Sequence, residues 1–248
     1  MKPRSLLLSL AAILTLAGCH AASAQSASFT VSQHGHAVGT ASYKFTGISG
    51  GYASSSLVNV SMQGLNYALS KDEQLDSANH LQRVVLSGTV NGSAVNVIAK
   101  PDGVQFLLNI SANGRSTTTR LAAHPATVFL PDFDPGALET LLVLAVEQNN
   151  SDLWAIIPKQ QGSIQPVTLA TYPDEHGTLN GKAVTVHHLV ATINNQQTDL
   201  FSSQQNDLMQ AELPEQGFAL VRTGFVLTPP KKPLAPPAST QQPPPQQQ

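Results

Sequence analysis

The sequence predicts a mainly β fold: a strongly curved antiparallel sheet, a half-barrel, of ten or more strands, with one main α-helix packed on its concave side. Three observations predict it. Apolar residues alternate with polar ones at period two through most of the chain. Asn91-Gly92, Asp102-Gly103 and Asn113-Gly114 fall eleven residues apart, and each pair tolerates the positive φ of tight hairpin turns. Only one stretch shows helical spacing.

The elements follow in order. From Ala37 to Phe45 the residues Ala37, Gly39, Ala41, Tyr43 and Phe45 share one face, while Thr40, Ser42, Lys44 and Thr46 take the other. Tyr52, Val58, Val60 and Met62 continue the pattern. Val84, Leu86 and Val90 come next, then Val95, Val97 and Ala99, then Val104, Phe106, Leu108 and Ile110. These read as a meander of neighbouring strands. Asp134 then stands as an N-cap before Pro135, and Leu138, Leu141, Leu142 and Ala145 recur at helical spacing, predicting a helix from Pro135 to Glu147. Strands resume at Leu153 to Pro158, Val167 to Tyr172, Ala183 to Ile193, Thr198 to Ser203, Leu208 to Leu213 and Phe218 to Val226. Asn180-Gly181 and Asn194-Asn195 supply further turns. A parallel α/β fold would need a helix between most strands and is excluded.

The two ends differ from this middle. Lys2 and Arg4 precede an apolar run from Leu6 to Leu16, the pattern of a signal peptide over residues 1–24. Two cleavage readings stay open. Leu16-Ala17-Gly18-Cys19 is a lipobox that would leave Cys19 acylated, and Ala22-Ser23-Ala24 is an ordinary secretory site. Residues 27–228 form the folded domain. Residues 229–248 are a Pro/Gln-rich tail without apolar periodicity, expected to stay disordered or extended over about 60 Å. The expected location is therefore the periplasm, with membrane contact only through a lipid anchor at Cys19, which would tie the protein to the outer membrane.

Composition excludes several classes. The 248 residues include 13 basic and 15 acidic side chains, so no basic stripe exists to displace counterions from nucleic acid. One Cys cannot form an intramolecular disulfide or a zinc ribbon.

A resemblance emerges from particular segments. A strand pair runs through Phe29-Thr30-Val31 and Gly39-Thr40-Ala41-Ser42-Tyr43-Lys44-Phe45, and Gly51-Tyr52 opens the next strand. A Pro131-Asp132-Phe133-Asp134 turn precedes the helix, and Gly217-Phe218-Ala219-Leu220-Val221 closes the set. Together with the leader, this order resembles the half-barrel superfamily of periplasmic lipoprotein carriers and outer-membrane lipoprotein receptors. The resemblance implies acyl chains held on a concave apolar face under helical lids, and no catalytic residues.

Candidate chemistry is sparse. Gly47-Ile48-Ser49-Gly50-Gly51 matches a nucleophile-elbow string, yet it joins two strands where an elbow needs a following helix, so it reads as a flexible hairpin. His34 and His36 flank Gly35 and read as solvated residues at a turn. His187 and His188 are adjacent, so on a strand they project to opposite faces. Asp132, Asp134 and Glu139 read as structural, with Asp134 the helix cap. Asp174-Glu175-His176-Gly177 reads as a turn. No metal or other cofactor is expected, and no catalytic residue.

A helix of 13 residues is about 20 Å long and covers only part of a ten-stranded sheet. The apolar area left over is expected to hold a lipid, an acyl chain or another apolar molecule. Its lining would come from Tyr43, Phe45, Val58, Val60, Val84, Leu86, Phe106, Leu108 and Ile110, with Leu138, Leu141 and Leu142 of the helix; each is otherwise a core residue. The protein is thus expected to be a non-enzymatic, exported binding protein. The alternative is an envelope interaction module that binds another protein through its sheet edges or its Pro/Gln-rich tail.

Overall fold

The computed structural model describes residues 25–159 and 161–229. The segment expected to be a signal peptide, with Cys19, and residues 230–248 of the tail lie outside the described residues.

Alternation of side chains produces sixteen strands: β1 (Gln25–Gln33), β2 (His36–Ile48), β3 (Gly51–Met62), β4 (Leu65–Asp76), β5 (Leu81–Val90), β6 (Ser93–Asp102), β7 (Gln105–Ala112), β8 (Arg115–Ala122) and β9 (Thr127–Phe129) precede the helix. Helix α1 spans Pro135–Glu147, the bounds expected from its cap and spacing. After it come β10 (Leu153–Ile157), β11 (Ser163–Leu179), β12 (Lys182–Ile193), β13 (Gln196–Ser202), β14 (Leu208–Leu213), β15 (Phe218–Arg222) and β16 (Phe225–Leu227). They join in one sheet ordered β8-β7-β6-β5-β4-β3-β2-β1-β15-β14-β13-β12-β11-β10-β9, with β16 pairing off this path to β11. Every pairing is antiparallel except that of β9 with β10.

The turns bear out the asparagine pairs, whereas the expected Asp102-Gly103 turn falls one residue later, at Gly103-Val104, with Asp102 ending β6 and Val104 exposed rather than within a strand. Asn91, Asn113, Asn180 and Asn194 all take positive φ, as does His34 beside Gly35 between β1 and β2. Other expectations are corrected. The stretch Asp174 to Gly177 is not a turn: it lies within the 17-residue strand β11, where the register with β12 shifts between Tyr172 and Glu175, a bulge that keeps the chain extended. The run from Phe218 to Val226 is two strands, β15 and β16, separated at Thr223-Gly224.

The sheet is not strongly curled, so the expectation of a strongly curved half-barrel gives way to one large, mostly antiparallel sheet with a single helix. Among the described residues its end strands β8 and β9 share no hydrogen-bonded ladder. Twist does what curl was expected to do. At the usual 20–25° or so per strand, sixteen strands cannot remain coplanar. Strand β5 comes to touch β9, and β8 touches β11. Thr119 Oγ1 on β8 donates to the Gln161 carbonyl at 2.7 Å.

Helix α1 lies against β2, β3, β9 and β14, which belong to both arms of the sheet. Asp134 caps it, its side chain accepting from the Ala137 N–H at 3.1 Å, a bond of the kind worth about 1 kcal/mol. Buried positions occur all round the helix, including Leu138, Leu141, Leu142 and Leu144 together with Glu139 and Thr140. A helix apolar on most sides requires cover on most sides. The inward residues of both arms supply it, and they form one continuous core with the helix. A second, smaller cluster of Val186, Phe201, Met209 and Phe225 lies apart from it.

Close strand approach leaves its mark at Gly88, whose φ is +147° and where an added Cβ would overlap the Ala68 carbonyl oxygen of the neighbouring strand. Gly88→Ala is expected to lower stability by about 2 kcal/mol or more, through backbone strain and steric overlap. Ser87→Ala, at an exposed neighbouring position, should stay within about 0.5 kcal/mol. Urea denaturation of the two variants measures the difference.

Candidate functional site

Beneath the N-terminus of α1 the core is polar. Strand β4 turns Tyr67, Leu69, Lys71, Glu73 and Leu75 inward, so two charged residues occupy positions that alternation assigns to the core. Lys71 and Glu73 pair across the ladder with Ser56 and Ser54 of β3. Lys71 Nζ lies 3.2 Å from Glu73 Oε2 and 3.1 Å from Asp134 Oδ2, and all three side chains are essentially inaccessible. Among the described residues, Ser54 Oγ, Ser56 Oγ and Glu73 Oε1 have no hydrogen-bond partner, and Asp134 Oδ2 meets Lys71 at ion-pair distance without hydrogen-bond geometry.

The charges here do not balance, since one ammonium faces two carboxylates. Burial opposes the charge on Lys71, but Asp134 and Glu73 outweigh it and hold the ammonium pKa above its ordinary value. Burial drives the Glu73 carboxyl upward, against the pull of Lys71.

One turn along the helix, Glu139 makes a second polar contact. Its Oε2 accepts from the Leu208 backbone N–H at 2.7 Å, and its Oε1 accepts from Gln25 Nε2 at 2.7 Å. Gln25 Nε2 also donates to Asp207 Oδ1. Burial raises the Glu139 carboxyl to about 7, the Asp207 charge adds to the rise, and the Leu208 and Gln25 bonds oppose it. Glu139 thereby ties α1 to β1 and to the start of β14.

Two grooves with partly apolar walls lie beyond the helix N-terminus. The segment Leu130–Asp134, which links β9 to α1, forms a wall between two grooves of about 440 and 460 Å³. Pro131, Asp132 and Lys159 line both. One groove is walled by Leu130, Phe133, Leu138, Ile193, Leu213 and Leu220, the other by Leu69, Leu86, Val90, Val95, Val97 and Ile110. Asp132 Oδ1 and Lys159 Nζ close the wall with an ion pair of 2.9 Å, and Tyr67 Oη donates to the Asp132 carbonyl at 3.3 Å. Phe133 holds φ +56°, a left-handed conformation rare for a bulky residue. Its ring packs on Tyr67 and Phe218, which fixes the segment in that conformation.

The residues expected to line a cavity have the following places. Tyr43, Val58, Val60, Val84, Leu86, Phe106, Leu108, Ile110, Leu138, Leu141 and Leu142 are buried in the main core, and Phe45 packs against it. Leu86, Ile110 and Leu138 also border the two grooves. The sequence reading missed Lys71, Glu73, Ser54 and Ser56, and it missed Lys159. Polar residues at odd positions of a strand that begins and ends apolar were the available signal for Lys71 and Glu73.

Ser49 sits exposed in the two-residue turn between β2 and β3, with a strand after it where a nucleophile elbow requires a helix. His34 and His36 are exposed around the Gly35 turn. His187 Nδ1 is 2.9 Å from Asp174 Oδ1, while His188 lies between Asp199 at 2.8 Å and Glu175 at 3.4 Å and stacks on Phe201. Among the described residues, no group of three or more His, Cys, Asp or Glu is placed to hold a metal ion.

Two tests address the polar clusters. Lys71→Met leaves Asp134 and Glu73 buried without a cation and is expected to cost about 3–5 kcal/mol. Glu73→Gln, which keeps an oxygen for Lys71 and removes the carboxylate in excess of the single ammonium, is expected to change stability at pH 7 by less than about 1 kcal/mol. Chemical denaturation of both reads the contrast. Glu139 should also give the fold a pH dependence. Its folded pKa of about 7 exceeds the ordinary 4.5, so its contribution is fully present below pH 4.5 and is lost as pH rises through 7. About 2–4 kcal/mol follows from the size of that shift. Thermal melts from pH 4.5 to 8 should show this decline in the native chain relative to Glu139→Gln, which lacks the titrating proton.

No family model, no curated protein and no solved structure matches this chain.

Proposed function

We propose that the protein is a non-enzymatic, exported envelope protein that binds the chain of an apolar or amphiphilic molecule in the paired grooves on either side of the Leu130–Asp134 segment. The observation that carries this reading is the pair itself. Two grooves of similar size, each lined by both apolar and polar side chains, meet at one narrow wall, and both open from core side chains toward solvent. The main core is filled by its own side chains, so the grooves, rather than a hollow centre, offer the room. Each methylene buried there supplies about 0.8 kcal/mol before ordering costs are subtracted.

The alternative, an interaction module working through sheet edges, has less support among the described residues. Edge strand β8 carries Arg115 and Arg120 with a run of hydroxyl residues, a composition that discourages addition of a further strand. Its neighbour across the fold, β11, also approaches it closely.

Titration of the mature protein with dansyl-undecanoate, followed by fluorescence, tests the reading. Binding in the micromolar range is expected. Val95→Lys and Ile193→Lys, both at partly buried groove positions, should each weaken it about tenfold or more by placing an ammonium where the chain lies, with an unchanged circular dichroism spectrum. Absence of binding by the native chain would remove the proposal.

A further inference from the structure

We infer that Lys159 is the headgroup-recognition residue of this site and that Asp132 occupies its ammonium as an internal stand-in for the ligand, so that the preferred ligand is a single-chain amphiphile with an anionic head, carboxylate or phosphate. This rests on the apolar-ligand reading of the two grooves.

The geometry singles out this pair. Among the described residues lining either groove, Lys159 is the one cation, and it stands on the wall that both grooves share. A chain lying in either groove with its head toward the wall therefore meets the same ammonium. That ammonium is already held by a carboxylate at 2.9 Å, the distance a ligand carboxylate or phosphate oxygen would take. Asp132 is easily displaced. Its side chain is 39% exposed and that of Lys159 is 59% exposed, so the pair is a solvated surface ion pair of the kind that contributes little to stability. The segment does not depend on the ion pair for its position, since the Tyr67 hydroxyl holds the Asp132 carbonyl and the Phe133 ring packs on Tyr67 and Phe218. The contrast with Asp134, two residues on, is chemical. Asp134 is buried, caps α1 and pairs with Lys71, so it is not free to exchange.

When an anionic amphiphile binds, its chain fills apolar groove surface and its head accepts from Lys159 Nζ, while the Asp132 carboxylate turns to solvent. No bond is made or broken. An uncharged amphiphile of equal length gains the same apolar burial without the ion pair. The exchange is consequently specific to charge and sensitive to ionic strength.

Calorimetric titration below micelle-forming concentration, at pH 8 and low salt, with dodecanoate, dodecyl phosphate and 1-dodecanol tests the inference on the native chain, Lys159→Met and Asp132→Asn. Both substitutions lie at partly or fully exposed side chains, and circular dichroism checks the fold. The expected result is that Lys159→Met weakens the anions about tenfold, the loss of one charge-assisted contact, and leaves 1-dodecanol unchanged. Asp132→Asn should tighten the anions about two- to fivefold, because the internal competitor is removed. A response by dodecanoate alone, or by dodecyl phosphate alone, assigns the head to that one chemistry and supports the inference. If all three ligands bind and neither variant separates the anions from 1-dodecanol, Lys159 does not recognise the head and the inference is overturned, with the apolar-ligand reading intact. If none of the three binds the native chain, the reading itself fails and takes the inference with it.

Discussion

One helix buried on nearly every side sets the terms for the rest of this fold. A helix with an ordinary amphipathic face needs one layer of cover, whereas α1 presents Leu138, Leu141, Leu142, Leu144 and Ala145 together with buried Glu139 and Thr140. The cover comes from one continuous sheet whose two arms meet the helix from different directions, through β2 and β3 on one side and β9 and β14 on others. Chain order makes this possible. The helix is inserted after an eight-stranded meander and the short strand β9, before a second run of strands, and β15 joins the two runs by pairing with β1. Closing that joint brings Gln25 of β1 and Leu208 of β14 within hydrogen-bonding distance of Glu139 of α1.

The polar groups beneath α1 are costly as stability devices and useful as specifiers. Removing three charges from water carries a penalty that mutual attraction rarely exceeds, so the Lys71, Glu73 and Asp134 cluster cannot be credited with holding the fold together. It does define a register. With Lys71 opposite Ser56 and Glu73 opposite Ser54, a one-residue slip of β4 would send both charges to the outer face and separate them from the helix cap. The same carboxylate, Asp134, accepts from the first turn of α1 and meets Lys71, so helix start and strand register are fixed at a single side chain. This coupling is proposed as the reason an expensive cluster persists in an otherwise apolar interior.

That cluster also explains where the fold was legible in the sequence and where it was not. Helix α1 was legible to the residue because Asp134, Pro135 and the leucine spacing agree with one another. The hairpin turns were legible because asparagine and glycine accept positive φ where other residues resist it. Strand β4 was not, since Lys71 and Glu73 interrupt the inward series that Tyr67, Leu69 and Leu75 would otherwise make plain. Strand β8 was missed for the opposite reason, as an edge strand with hydroxyl and arginine side chains shows little alternation. The bulge after Tyr172 disguised the middle of β11 as a turn, because Pro173, Asp174 and Gly177 are common turn residues. Curvature was not legible at all. It depends on how far twist alone carries distant strands together, and alternation specifies only which face is buried. The candidate grooves were half legible: Leu86, Ile110 and Leu138 belong to the apolar set, while Lys159 acquires its place only when the chain after β10 folds beside Asp132.

A filled core and an apolar ligand are compatible only if binding occurs where packing stops. Inside, the leucine and valine side chains of both arms already satisfy one another, and opening space among them would forfeit their contacts before any ligand replaced them. At the Leu130–Asp134 segment the situation differs. The chain must pass from an edge strand into the helix through Pro131 and the left-handed Phe133, and the two arms meet this irregular backbone at single points, through Tyr67 on one side and Phe218 on the other. The grooves are what remains on its two sides. Their apolar walls are the same side chains that form the core elsewhere, so a bound chain would continue the core outward without rearranging it. The cost of admitting a ligand then falls on one exposed ion pair, and that is why affinity at this site should depend on surface charge while stability depends on the polar cluster beneath the helix.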